Sequence, residues 1–282
     1  MRDAPGSIDL RRGFQGQGMR NMSQMSILPL LNRIAASQRI DDAWDRATGY
    51  FAALGFGRVN YGFTRFKHLK TIGDPDDALF LTTCDADYVK RYFQGSFYAK
   101  TPVFRWAEHN SGICTWSWVR RALEAGKLSA EEAEAVRQNA AMGIVAGISV
   151  SYPEVLSRSK GALGLIADQG ISTEDVEKIF AEKQEEILAV ANMMHLTIVH
   201  LPQLSRHRAL SPRQREALEW VADGKTTQDV ALLMGVSPAM VEKHLRLARE
   251  ALAVETTAQA VAKGALLNMI FQRIPEVAQA AR

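Results

Sequence analysis

Residues 210–270 constrain this chain most, because they carry the start and stop signals of successive short helices. Ser211-Pro212 and Ser237-Pro238 each place a hydroxyl cap before a proline, whose fixed φ suits the first position of a helix. Gly224 and Gly235 close the two shorter apolar-periodic stretches, at positions where glycine commonly ends a helix. This order of caps and stops predicts a scaffold helix followed by a helix-turn-helix.

The two helices of the motif have a predicted buried side. The first begins at Thr226, and Asp229 lies at the spacing of a capping box. Its predicted buried residues are Val230, Ala231, Leu233 and Met234. In the second, near-helical spacing predicts that Val241, Leu245, Ala248 and Leu252 face inward.

The other side of the second motif helix is the candidate DNA-reading surface. It holds Met240, Lys243, His244, Arg246, Leu247 and Arg249. Such side chains reach base edges and phosphates when a helix enters the major groove of double-stranded DNA, and Lys243 and Arg246 are the strongest candidates. The predicted contacts also include Lys225, Thr226 and Ser237, near the helix starts. The alternative is a small helical bundle whose charges form only a solvated face.

Three patterns in this segment resemble the DNA-binding domain of the LuxR family of bacterial transcription regulators. They are Leu210-Ser211-x-Arg213, Trp220-x-Ala222-x-Gly224-Lys225-Thr226 and Val241-x-x-His244. The similarity runs to Ile270, and three positions depart from it: Gln214 replaces a usual Glu, Met240 a usual Thr, and Thr257 a common Arg. The resemblance implies a regulator that binds DNA.

Composition places the chain among globular proteins with more than one domain. It has 282 residues, 47% of them hydrophobic, which is enough for two domains with their own cores. No apolar run is long enough to span a membrane and no signal core is present, so we expect a cytoplasmic protein without a membrane partner. Cys84 and Cys114 cannot build a disulfide framework and have no metal-ligand spacing around them, so no cofactor is expected.

Charge is concentrated at the C-terminal end of the chain. From Ser205 onward the sequence has 11 basic and 8 acidic residues, which accounts for the whole net charge of +3. A basic balance in this part fits an approach to phosphates.

The N-terminal half predicts an α/β sandwich, because strand-like and helix-like segments alternate. Predicted strands cover residues 58–64, 79–83, 113–119, 147–152 and 161–167, and predicted helices cover residues 41–54, 86–93, 129–141 and 173–200. The fold class is therefore α/β plus all-α: an N-terminal α/β/α sandwich joined by a short linker to a C-terminal helix-turn-helix domain of four helices.

Residues 88–116 resemble the signal pocket of the same family. The family pattern is Trp-x-x-x-Tyr, then Asp-Pro, then Trp, and this chain has Tyr88 and Tyr92, then Thr101-Pro102, then Trp116 with the same gaps. The resemblance implies a sandwich that binds an acyl-homoserine lactone between sheet and helices, as an autoinducer-binding-like sensor domain. The implied boundaries are a flexible arm at 1–26, the sensor domain at 27–200, a linker at 201–208, the DNA-binding domain at 209–274 and a tail at 275–282.

The differences from the family pattern fall on residues that usually hold the signal. Thr101 replaces the Asp that accepts a hydrogen bond from the acyl amide, and Tyr88 replaces the Trp that donates to the lactone carbonyl. Cys84 stands at a common Tyr position and Ala167 at a frequent Ser/Thr position. Losing a charge-assisted bond costs roughly 1.5–3 kcal/mol, or one to two orders of magnitude in affinity. An orphan or ligand-independent member is therefore expected.

Two interpretations of the pocket follow from its aromatic content. Residues such as Tyr61, Tyr88, Tyr92 and Trp116 are aromatic enough to line a cavity for a small apolar ligand, with Thr101 as a further polar contact. Alternatively, several of them fill the core, because aromatic residues dominate protein cores.

The predicted function is that of a transcription regulator, not an enzyme, because no nucleophile, phosphate-binding or metal motif is present. Two half-sites multiply the specificity of one recognition helix, so the chain is expected to bind a dyad-symmetric operator as a homodimer. Its dimer surfaces would be the helix at 173–200 or the final helix, with Ala258, Val261, Ala265 and Leu266. RNA polymerase is a partner if it activates. The alternative function is an interaction protein that forms mixed, inactive dimers with another regulator of this family.

Overall fold

The structure, a computed structural model, describes residues 26–68, 73–94, 97–153, 156–202 and 209–271. The predicted arm at 1–26 lies outside these residues except for its last position. Most of the predicted linker at 201–208 and the whole predicted tail at 275–282 also lie outside them.

The N-terminal half is built around a five-stranded antiparallel sheet. Its strands are β1 (Arg58–Thr64), β2 (Leu79–Thr82), β3 (Gly112–Thr115), β4 (Gly147–Ser151) and β5 (Lys160–Ile166). Their order across the sheet is β2-β1-β5-β4-β3. Successive side chains in a strand point to opposite faces, so each strand contributes to two layers.

One face of the sheet packs against three helices and forms the main core. These are α1 (Leu28–Ala35), α2 (Ile40–Ala53) and the last helix of this half, Thr173–His200. The core joins residues from every layer, among them Phe51, Val59, Ile148, Leu165 and Met194, all fully or almost fully buried. A small domain gains most of its stability from burial of this kind, at about 25 cal/mol per Å² of apolar surface.

The other face carries the shorter helices of this half. They are α3 (Ala86–Val89), which continues as a π-helical turn at Lys90–Gln94, then α4 (Pro102–His109), α5 (Ser117–Glu124) and α6 (Ala130–Ala141). The long helix Thr173–His200 is thus α7 in chain order. Helices on both faces of the sheet confirm the predicted α/β/α arrangement.

The C-terminal half is a four-helix unit with its own core. Its helices are α8 (Pro212–Ala222), α9 (Thr227–Met234), α10 (Pro238–Leu252) and α11 (Thr257–Leu266). Each begins at a hydroxyl cap, and Gly235 ends α9 in the left-handed conformation, with φ 65°. The predicted inward face of α10 is buried as expected: Val241, Leu245, Ala248 and Leu252.

Two sequence-based expectations about local structure are wrong. Residues 113–119 do not form one strand: β3 ends at Thr115, and helix α5 begins after Trp116, whose φ of −87° and ψ of 8° leave the extended region. Leu233 is 50% exposed, whereas Val230, Ala231 and Met234 are buried. In α9 the core lies on one narrow stripe, and Leu233 is turned away from it.

Candidate ligand cavity and nucleic-acid interface

A cavity of about 540 Å³ lies between the sheet and helices α3 to α6. This volume is within the range of sites for small ligands. Its walls are mainly apolar and aromatic, and include Phe80, Tyr98, Val103, Phe104, Leu123 and Ile144. Arg120 and Glu174, an exposed ion pair with a 2.8 Å contact, lie at its rim. The arrangement suits a ligand that is largely apolar.

Tyr88 and Tyr92 form one side of the cavity, as the resemblance implies. Their rings stack with centroids 4.9 Å apart and an interplanar angle of 16°. The Tyr88 hydroxyl accepts a 2.8 Å hydrogen bond from Nδ2 of Asn60. Burial raises the pKa of Tyr92 to about 12 and that of Tyr88 well above its usual value, so both hydroxyls stay protonated at neutral pH.

Trp116 lies at the junction of β3 and α5, where it closes another part of the wall. Its Nε1 donates a 2.9 Å hydrogen bond to Oγ of Ser149 in β4. The close approach of the indole ring requires a glycine beside it, because a Cβ at Gly147 would lie 2.9 Å from two of its ring atoms. Two of the predicted pocket residues are therefore held by partners that the sequence did not identify, Asn60 and Ser149.

Thr101 lines the cavity, and its hydroxyl is engaged by neighbouring groups, the side chain of Tyr92 among them. The side chain accepts from the backbone N–H of Phe104 as the N-cap of α4, and donates a 2.8 Å bond to the carbonyl of Tyr98. The residue is 1% exposed. The hydrogen of this hydroxyl is bonded to Tyr98, and the cap bond uses one of the two acceptor positions of its oxygen. The position that carries a ligand acceptor in the resembled pattern here caps a helix.

Three other predicted pocket residues lie differently. Tyr61 borders the cavity, but its hydroxyl is 2.8 Å from Nδ1 of His195 on α7, so its ring belongs to the core on the opposite face. Cys84 and Ala167 lie outside the cavity lining. Ala167 is buried in the main core, and the Cys84 thiol is 3.7 Å from Oδ1 of Asn60.

Asn60, Ser149 and Gly164 were not among the predicted site residues, although all three line the cavity. Strand alternation could have identified the first, since Asn60 must face away from its buried neighbours Val59 and Tyr61. Nothing local in the sequence places Ser149 and Gly164 beside it, because their proximity depends on the pairing of separate strands.

The predicted DNA-reading surface is presented on α10. Met240, Lys243 and Arg246 are exposed, and His244, Leu247 and Arg249 are half-buried. Within the described part of the chain, Arg246 pairs with Glu250 of its own helix, an exposed partner that a phosphate could replace. The helix is thus anchored by one face and free on the other, as a helix that enters a groove must be.

Several of the predicted DNA contacts also hold the domain together. Thr226 forms a full capping box with Asp229, and Ser237 caps α10 by accepting from the N–H of Met240. Arg249 donates a 2.9 Å bond to Oγ1 of Thr257, which joins α10 to α11. Lys225 is exposed immediately before the cap of α9.

At two of the positions that depart from the family pattern, the residue present forms a hydrogen bond within the C-terminal domain. Gln214 completes a capping box with Ser211, as its side-chain oxygen accepts a 2.8 Å bond from the Ser211 N–H. Thr257 takes the hydrogen bond from Arg249. Both substitutions therefore serve local packing in this chain.

Comparison with protein-family models matches two parts of the chain. Residues 39–198 match the model described as the autoinducer binding domain. Residues 204–252 match sigma-70 region 4, a helix-turn-helix model, and this match ends at the last residue of α10.

Curated relatives span both parts. TraR of Agrobacterium vitis, a transcriptional activator protein, is 26% identical over 215 residues, covering 73% of this chain and 83% of its own length. VjbR of Brucella ovis, a quorum sensing-dependent transcriptional regulator, is 25% identical over 206 residues. The match covers 71% of this chain and 76% of the length of VjbR. The crystal structure of Escherichia coli SdiA aligns with a TM-score of 0.50 and 17% identity, over 87% of this chain and 98% of that one. This last likeness supports the fold alone.

In the part of the chain that the structure describes, no helix has the length and apolar character needed to cross a bilayer. Within the same residues, no group of three or more His, Cys, Asp or Glu side chains is placed to hold a metal ion.

Proposed function

The chain belongs to the LuxR-type family of quorum-sensing transcription regulators, with an autoinducer binding domain followed by a helix-turn-helix, and from this we propose that it binds operator DNA as a homodimer. The observation that carries the proposal is α10: its buried face is packed in the domain core, while Lys243 and Arg246 project from its exposed face. Arginine and lysine in this position supply base-edge and phosphate contacts. The target is DNA, so the protein would act in the cytoplasm and not as an enzyme.

The homodimer is proposed on the argument of symmetry. One recognition helix reads few base pairs, and two helices spaced by one turn of DNA read a dyad-symmetric site with far greater specificity. Helix α11 offers an apolar surface for pairing, with Ala258, Ala265 and Leu266 exposed on it. Helix α7 offers a second, with Leu196 53% exposed. If the regulator activates transcription, RNA polymerase is its further partner.

The ligand proposed for the sensor domain is a small, largely apolar molecule of the acyl-homoserine lactone kind or one of similar shape. The volume and apolar walls of the cavity support this. Thr101 stands where the family has an Asp, and its neutral hydroxyl, which already accepts from the N–H of Phe104, is a weaker acceptor for an acyl amide than a carboxylate, so the chain would be an orphan or a differently tuned member. The ligand contacts proposed on the family pattern are Tyr88, Tyr92 and Trp116.

A second candidate function is that of a partner that forms mixed dimers with another regulator and inactivates it. The exposed apolar surface of α11 would serve such pairing equally well. The two functions differ in the need for α10, because a mixed-dimer inhibitor does not have to read DNA.

The test is operator binding by the full chain, with a site obtained by selection from random DNA. We expect Arg246→Ala to weaken binding at least tenfold, about 1.4 kcal/mol, because a base or phosphate contact is lost. The matched control is Arg213→Ala on α8, which removes an arginine that is also exposed and paired within its own helix. Equal affinity of Arg246→Ala and wild type would contradict the assignment of α10. Failure of the wild type to select any site would favour the mixed-dimer function.

A further inference from the structure

Helix α10 has an exposed stripe that is partly apolar. Met240, Lys243 and Leu247 follow one another at spacings of three and four residues, so they lie on one side of the helix. Met240 is 39% exposed, although its side chain is large and apolar. Lys243 is exposed and Leu247 is half-buried. The stripe therefore places an exposed methionine beside a basic side chain.

Met240 does not belong to the core of the C-terminal half. That core takes Val241, Leu245 and Leu252 from α10, and Met240 is neither among its buried residues nor among the partly buried ones packed against them. A single exposed apolar residue is common on protein surfaces, so its position decides what it means.

Met240 lies at the end of α10 that meets the bases. It is the third residue of the helix, in the first turn after the cap Ser237, whose hydroxyl accepts from the Met240 N–H. In a helix-turn-helix, the N-terminal residues of the second helix contact base edges in the major groove. The apolar side chain is thus presented at the depth of the bases, with Lys243 one turn further along.

The acidic residue of these turns is held to one side. Glu242 accepts a 3.0 Å bond from Oγ1 of Thr227, the first residue of α9. This bond keeps the carboxylate on the side of α10 that faces α9, and it also fixes the start of α10 against α9. The stripe itself therefore carries a positive charge and no carboxylate, which suits an approach to DNA.

The chemistry of the stripe matches one feature of the major groove. Every base pair presents hydrogen-bond donors or acceptors there, but among the four bases only thymine presents a methyl group. An apolar side chain gains free energy by covering a methyl group, whereas covering a donor or acceptor leaves that group without its water partner. Lysine, in contrast, pairs with the acceptor atoms of guanine. Met240 therefore suits a thymine, and Lys243 suits a neighbouring guanine.

We infer that Met240 reads the methyl group of a thymine in each half-site of the operator, next to a guanine that Lys243 contacts. The inference rests on the proposed DNA-binding function and names part of the sequence that the protein recognises. Met240 is the specificity-determining residue, because its flexible thioether side chain can follow the surface of the methyl group.

The experiment removes the methyl group alone. Each thymine of the selected operator is replaced in turn by deoxyuridine, which pairs with adenine in the same way but lacks the C5 methyl group. The affinity of the full-length protein is measured by mobility shift. We expect replacement of one thymine in each half-site to weaken binding about fourfold, the effect of one methyl group that is no longer buried.

Met240→Ala identifies the side chain that reads the methyl group. At the sensitive thymine, the ratio of the affinities for thymine and deoxyuridine should fall from about four to about one, because the contact is absent from both complexes. Met240→Leu should keep part of the preference, since leucine is also apolar. Met240→Gln keeps the length of the side chain without its apolar end, and its ratio should also be near one.

Lys243→Ala is the matched control on the same stripe. It should weaken binding to both operators about tenfold, but the ratio between them should stay near four because Met240 is still in place. Leu156→Ala removes an apolar side chain of similar exposure, 44%, from the sensor domain. It should change neither the affinity nor the ratio.

Two results would overturn the inference while the proposed function stands. One is an operator in which no thymine is sensitive to deoxyuridine. The other is a ratio that stays near four in Met240→Ala and in Met240→Gln. A wild-type protein that selects no operator would contradict the proposed DNA-binding function and the inference with it, so the two failures are distinguishable.

Discussion

At the scale of single residues, hydrogen bonding separates side chains that hold the fold from those that can hold a ligand. Thr101 and Asn60 both line the cavity. The hydroxyl of Thr101 is used by the turn and the helix start around it, whereas Asn60 keeps an N–H group without a described partner. A polar atom at a family binding position can therefore bond a ligand only through the donor or acceptor positions that the fold leaves unused.

His195 is a buried residue that should make the folded protein less stable in acid. Its ring stacks on Tyr152 with centroids 3.8 Å apart, and its Nδ1 contacts the hydroxyl of Tyr61. Burial, and then the nearby charges of Arg65 and His200, lower its pKa from 6.5 to about 4. Between these two pH values the His195 ring is protonated in the unfolded chain but stays neutral in the folded protein.

We therefore expect stability to fall as the pH drops from about 6.5 to about 4, because only the unfolded state binds the extra proton in this range. The loss attributable to His195 is about 3 kcal/mol at most. Urea unfolding of His195→Phe should show a weaker dependence on pH than the wild type. His109→Gln, a change at an exposed histidine of α4, is the control and should keep the acid sensitivity.

At the scale of the elements, capping decides where the helices of the DNA-binding domain begin. Helices α8, α9 and α11 each start with a complete capping box, and α10 starts with a serine cap. These interactions are local, within three residues, and for this reason the sequence predicted the caps at Ser211, Thr226 and Ser237, although the cap of α11 at Thr256 was not among the predictions. The strand predicted through Val119 failed for the opposite reason: the backbone turns at Trp116, where the N–H bonds to Gly147 in another strand.

Thr226 tests the capping at the start of α9. Thr226→Ala should destabilise the first turn of α9 by about 1 kcal/mol, because the N–H of Asp229 loses its acceptor. Thr226→Ser should retain most of the stability. Amide hydrogen exchange of α9 in the full chain measures the effect, and equal exchange in all three proteins would show that the cap contributes nothing.

At the scale of the whole molecule, the two halves are joined by buried contacts as well as by the chain. Nζ of Lys263 on α11 lies 2.7 Å from Oδ2 of Asp77, and their side chains are only 12% and 6% exposed. Phe66, beyond the end of β1, packs against the core of the C-terminal half. Nδ2 of Asn268 donates to the carbonyls of Val199 and Leu201 at the end of α7. Asp77 also precedes Ala78, a residue of the cavity wall, so this contact lies next to the cavity.

Removing one partner of this ion pair should weaken the contact between the halves. Asp77→Ala or Lys263→Ala should each cost up to about 3 kcal/mol, because each removes one charge of a buried ion pair. The double variant should cost much less than the sum of the two. Urea unfolding of all four proteins completes the cycle, and Lys178→Ala, at an exposed ion pair, is a control without effect. Additive single effects would show that the two residues do not interact.

The sequence by itself determined the features that depend on near neighbours. The caps at Ser211, Thr226 and Ser237, the buried stripe of α10 and most of the strands of the first half are encoded within a few residues, by hydrogen bonds to the next turn or by periodic burial. For that reason the fold class and the position of α10 with its buried face could be predicted from the sequence alone.

Only the tertiary structure decided which side chains the cavity can use. The floor of the cavity at Asn60, Gly164 and Ser149 exists because three strands from distant parts of the chain pair in one register. The same pairing directs the ring of Tyr61 to the opposite face, and packing leaves Ala167 in the core and Cys84 outside the cavity lining. Whether a polar atom is free to bind a ligand depends on which other segments reach it, and that information is not present in any single stretch of sequence.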